Sequence, residues 1–164
     1  MEARAKLFGH PIHQMLIVFP LGLLGGSFLF DLAFLFLHNG ELAIASYWMI
    51  FGGVIGGLAA ALFGAIDWLA IPDGTRAKAV GMWHGGGNVM VVGLFFASWF
   101  LRRPSPPSPP IAAIVLSGAG MALSVVTGWL GGELVDRLGV GVDDGAHLDA
   151  PSSLSGPVSR EARR

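Results

Sequence analysis

Cysteine is missing from this chain, and charge is scarce. Without cysteine there is no disulfide framework, no thiolate metal site and no cysteine-ligated iron–sulfur cluster. Only 13% of residues are charged, against about 25% in ordinary soluble domains. So few charges cannot cover a soluble domain, so part of the solvent must be lipid. A formal net charge of −1 gives no electrostatic footprint for nucleic acid. No dinucleotide or phosphate loop is present, because the glycines lie within apolar runs and not after strands. No catalytic constellation is legible.

What remains is apolar: 53% of the 164 residues. Four runs are long enough to cross a hydrocarbon core, which takes about 20 residues. They lie at about 12–37, 47–71, 80–101 and 111–135. Arg4 and Lys6 before the first run imitate a signal peptide, but the run is too long and has no small-residue cleavage site, so a retained anchor is expected. His38-Asn-Gly40 turns the chain after the first run, Pro72-Asp-Gly74 stops the second, and Thr75 is placed to cap the third. Pro104-Ser-Pro-Pro-Ser-Pro-Pro110 is a stiff linker before the fourth. Pro20, inside the first run, frees the carbonyl of Leu16 and predicts a kink. Tyr47, Trp48 and Trp99 fall at one membrane face; Trp68, Trp83 and Trp129 fall at the other.

The expected fold is all-α: an up-and-down four-helix membrane bundle over residues 1–142, with both termini on one side. A flexible tail follows at 143–164. Arg4, Lys6, Arg76, Lys78 and Arg137, with Arg160, Arg163 and Arg164, lie on the side of the termini; Arg102 and Arg103 lie opposite. The positive-inside rule puts both termini in the cytoplasm, across the inner (cell) membrane.

The chain holds 25 glycines, many inside the runs. Gly52, Gly53, Gly56 and Gly57 form two overlapping Gly-x-x-x-Gly pairs, which let helix backbones approach closely in lipid. Packing within the bundle is one use; a docking face for a partner helix or a flat cofactor is the other.

Folding the runs up and down gathers polar residues at the end that carries the termini. His10, His13, Gln14, Asp67, Asp73, Arg76, His84, Asn88, Glu133 and Asp136 all fall there. The far end holds little besides His38, Glu41 and the deeper Asp31. Pro11 suits a first helical position, which makes His10 a cap and points His13 one turn into the membrane. Ionisable groups in a span point to function, and two facing imidazoles are how four-helix bundles hold a b-type haem. His13 and His84 are the expected pair, with His10 as substitute and Gln14, Asn88 and Asp67 as supporting hydrogen-bond partners. The Gly-Gly-Gly after His84 would let a planar ring approach. A non-haem metal on His10, His13, Asp67 and His84 is the alternative. Equally, the same side chains serve as caps and mutual partners with no cofactor. A faint duplication is also legible. His10 precedes Gln14 by four, as His84 precedes Asn88, and each is followed by a helix ending in a carboxylate, Asp67 or Glu133.

Together these motifs resemble DUF2231, a family of predicted bacterial membrane proteins. The resemblance rests on Gly9-His-Pro-Ile-His13, Phe19-Pro-Leu-Gly22, Gly64-Ala-Ile-Asp67, Arg76-Ala-Lys78 with His84 and Asn88, Gly131-Gly-Glu-Leu-Val135, and Gly139-Val-Gly-Val142. It covers about residues 7 to 143. Where relatives tend to carry basic or aromatic residues, this chain has Asp136-Arg-Leu138. The resemblance implies a four-span domain without established activity; some relatives look fused to Rieske-type domains, which favours redox work by analogy. The expected function is therefore a haem- or metal-binding redox module. The alternative is a non-catalytic subunit that packs in a larger respiratory or photosynthetic membrane complex, or self-associates. Transport of protons or a small solute would need polarity continuing through the bilayer, and only Asp31 supplies it.

Overall fold

The computed structural model describes residues 1–155. Two short strands, β1 (Lys6–Leu7) and β2 (His10–Pro11), pair antiparallel ahead of the first helix. Helices follow: α1 (Ile12–Leu16), α2 (Val18–Leu37), α3 (Gly40–Leu69), α4 (Arg76–Arg102) and α5 (Ile111–Gly132), the last running into a π-helical turn at Glu133–Arg137. Four spans are long and apolar enough to cross a membrane: Ile12–Leu37, Gly40–Leu69, Arg76–Arg102 and Ile111–Arg137.

The local chemistry explains the boundaries. Pro20 cannot donate to the Leu16 carbonyl, and the first span breaks at Ile17, between α1 and α2. His38 adopts a left-handed φ of 53° where α2 stops. The Asn39 side chain then accepts from the Glu41 N–H at 3.0 Å. That cap starts α3 at Gly40, earlier than the hydropathy alone indicates. Thr75 caps α4 as expected, its Oγ1 accepting from the Lys78 N–H at 3.1 Å. His10 is not a cap. Pro11 holds that position and His10 pairs with Leu7 in the small hairpin.

The main packing runs α2 on α3 and α4 on α5, with α3 then meeting α4 and α5 closing on α2. Two antiparallel hairpins thus lie side by side, leaving α2 and α4 on one diagonal. Glycine sets the distances. A Cβ on Gly53 would lie 2.5 Å from Leu24 Cδ2, and one on Gly57 would lie 2.9 Å from Val92. Gly52 and Gly56 meet Leu23, Phe19 and Pro20 of α2. All four therefore touch helices of their own bundle, where dispersion between close backbones does the holding. Leu24, Ile50, Val54, Val91 and Phe95 form the central apolar core.

At the end bearing the termini, the first residues fold back over the bundle. Asp67 accepts from the backbone N–H groups of Arg4 (2.7 Å) and Ala5 (3.0 Å). The Met1 amine donates to the Gly139 carbonyl at 2.8 Å, and the Gly141 N–H donates back to Met1 at 2.9 Å. Of the expected tail, residues 143–155 are described and form turns, with the Ser153 hydroxyl 3.3 Å from His10 Nε2. Arg160, Arg163 and Arg164 lie outside the described residues.

Candidate functional site

Helices α1 and α4 carry His13 and His84 into the same end of the bundle, and the two are built alike. His13 Nδ1 lies 2.8 Å from the Ala60 carbonyl of α3, and its ring rests on Gly64, four residues further on. His84 Nδ1 lies 2.8 Å from the Thr127 carbonyl of α5, and its ring rests on Gly131, again four further on. A Cβ on Gly64 would come within 2.9 Å of His13 Nδ1, and one on Gly131 within 3.0 Å of His84 Cε1. Only glycine leaves each ring room.

A carbonyl can only accept, so each Nδ1 carries a proton, and in the neutral form of either ring the lone pair is on Nε2. The rings stand 6.3 Å apart, centre to centre, at 88° to one another. Asn88 braces the second histidine. Its amide donates to the His84 carbonyl at 2.9 Å and lies 3.4 Å from Nε2, while its Oδ1 accepts from the Thr127 hydroxyl at 3.1 Å.

The other expected site residues are elsewhere. Asp67 is engaged by the backbone of Arg4 and Ala5. His10 is exposed beside Ser153. Gln14 lies against Gly141. Among the described residues, no group of three or more His, Asp or Glu side chains is placed to hold a metal ion. The set His10, His13, Asp67 and His84 is not brought together; His13 and His84 are. Gly87 packs on Thr127, while Gly85 and Gly86 face open space.

A second polar group, at the opposite end, went unread in the sequence. Arg102, counted there as a flanking charge, is fully buried with Asp31, Ser27, Ser46, Ser98 and Ser117. Its Nη1 and Nη2 donate to the two oxygens of Asp31 at 2.6 and 2.7 Å. Ser46 donates to Asp31 at 2.6 Å, and the guanidinium also reaches Ser46, Ser98 and Ser117 at 2.9–3.2 Å. Between the two polar groups lies the apolar cluster of Leu24, Ile50, Val54, Val91 and Phe95.

Among the described residues, four apolar spans arranged as two hairpins define a multi-span membrane protein. The family model for DUF2231, predicted membrane protein, matches residues 9–144, and the chain belongs to that family. Neither a curated protein nor a solved structure matches it.

Proposed function

We propose that this protein is a membrane-embedded redox module that holds a haem b, or a single metal ion, between His13 and His84. One observation carries the reading: both imidazoles have Nδ1 fixed on a backbone carbonyl of a neighbouring helix, which turns each Nε2 away from that carbonyl; on His84 the Asn88 amide, 3.4 Å from Nε2, would give way to the ligand. Histidines that bind metals are characteristically held this way, by a hydrogen bond from the other ring nitrogen. Two imidazoles that would share one metal must bring their rings close together. The 6.3 Å separation agrees with that. Two nitrogen ligands without a third suit haem iron, whose remaining positions belong to the porphyrin, or a low-coordinate copper ion better than zinc, which takes four.

Such a group supplies a one-electron couple. The chain's own residues do the rest. Ala60 and Thr127 hold the Nδ1 protons and so aim the lone pairs, Gly64 and Gly131 admit the rings, and Asn88 ties His84 to α5. By the charge rule this end, with both termini, faces the cytoplasm of a cell membrane. The test is a visible spectrum and metal analysis of detergent-purified protein from haem- and copper-replete cells, beside His13→Ala and His84→Ala. A colour or a stoichiometric metal lost in both variants is expected. A colourless, metal-free wild type that takes up neither haem nor copper on reconstitution defeats the proposal.

A second reading, an accessory subunit of a larger membrane assembly, is favoured by Gly128 and Gly132. They are exposed on α5 with nothing within 4 Å of either Cβ position. A Gly-x-x-x-Gly pair turned to lipid suits a partner helix. In-membrane crosslinking from Val125 or Trp129, beside that pair, should capture such a partner; a monomer that crosslinks to nothing counts against it.

A further inference from the structure

The two hairpins repeat one plan, in a different register from the faint one in the sequence. His13 and His84, Val18 and Val89, Gly22 and Gly93, Leu23 and Leu94, and Ser27 and Ser98 are identical pairs, each 71 residues apart. Ser46 and Ser117 continue the spacing into the returning helices, as do the cap positions Asn39 and Pro110. Packing follows the same plan. Leu24 and Phe95, also 71 apart, fill the spaces over Gly53 and Gly120; His13 and His84 rest on Gly64 and Gly131. These paired glycines are 67 apart. A slip of four is about one helical turn, which keeps the same face inward.

The repeat breaks in one informative way. Position 31 is aspartate and its counterpart, 102, is arginine. These two meet where the hairpins meet, both fully buried and paired through two hydrogen bonds. Were two copies of the same hairpin to associate in this way, the position would set Asp31 against Asp31, or Arg102 against Arg102. Like charges buried together repel strongly where water cannot screen them. The serines around the pair could solvate either charge but neutralise neither.

We propose that the inner face of each hairpin is a docking surface for a second hairpin of the same plan, and that Asp31 and Arg102 select the partner by charge. The selected partner of the first half is the second half, and a copy of itself is rejected. The inference stands whether or not the histidines bind a cofactor.

The test uses full-length chains with two different tags. Asp31→Arg and Arg102→Asp, expressed singly, should each yield at most about a tenth of the wild-type folded protein, because each buries two like charges. Both changes in one chain, D31R/R102D, should restore the yield. Co-expressing the two single variants should also restore it, in particles carrying both tags. Exchange of hairpins across the short Ile71–Thr75 connection then sets the introduced arginine of one chain against the introduced aspartate of the other. The same exchange leaves the native Asp31 facing the native Arg102. If the double variant is no better than the singles, the charges do not govern pairing. If it recovers but the co-expressed singles never share a particle, the pair stabilises one chain without selecting between hairpins, and the proposal is overturned.

Discussion

Replacing either member of the Asp31–Arg102 pair with leucine should be among the most damaging single changes in the bundle. Asp31→Leu leaves the guanidinium with only the hydroxyls of Ser46, Ser98 and Ser117, at 2.9–3.2 Å, and no counter-charge. Arg102→Leu leaves a carboxylate with one donor, Ser46. Both side chains are 0% exposed, so water cannot substitute. Uncompensating a buried pair costs about 3–5 kcal/mol, and at about 2–4 °C per kcal/mol for a chain of this size the melting temperature should fall by roughly 10 °C. The double variant Asp31→Leu/Arg102→Leu removes both charges at once and should return to within about 1 kcal/mol of wild type, or exceed it. Thermal unfolding in detergent, followed by circular dichroism across the four proteins, closes the double-mutant cycle. Single variants that each lose less than about 1 kcal/mol, the range of exposed ion pairs, would refute the reasoning.

Other contacts give smaller, local predictions. Gly53→Ala should destabilise by about 1–3 kcal/mol, because its Cβ would overlap Leu24 in a core that cannot expand freely. Gly85→Ala, where nothing lies within 4 Å, should instead gain up to about 1 kcal/mol from helix propensity; melting curves of the two decide. Gly64→Ala should displace the His13 ring from the Ala60 carbonyl while the fold persists, read as a shifted imidazole resonance by NMR with unchanged helicity. Asp67→Ala removes the acceptor for two backbone N–H groups, so amide exchange at Arg4 and Ala5 should accelerate sharply while the cores of α3 and α4 stay protected.

The spans were legible because apolar runs of this length have few alternatives, and Pro20 and Thr75 acted as their local chemistry dictates. Asn39 was not credited with a cap, so the start of α3 was set too late. The histidine pair was legible from depth alone, since His13 and His84 each sit a turn inside a span. The bonds from Asp67 to the Arg4 and Ala5 backbone were not legible, because nothing in its spacing announces a backbone segment folding back onto it. Arg102 was missed for a physical reason. An arginine at a span end ordinarily reaches to the interface, and only its partner, 71 residues away, shows that it turns inward. The serines that line the pair were overlooked because serine inside a span is common; their 71-residue spacing was the available signal.

The apolar layer of Leu24, Ile50, Val54, Val91 and Phe95 keeps the charges at the two ends of the bundle apart. His13 and Asp31, on either side of it, are 18 residues apart, a rise of roughly 27 Å along a helix. The Asp31–Arg102 pair is fully buried, and the layer separates its charges from the histidines at the other end. A change of charge at His13 would therefore leave the Asp31–Arg102 pair largely undisturbed.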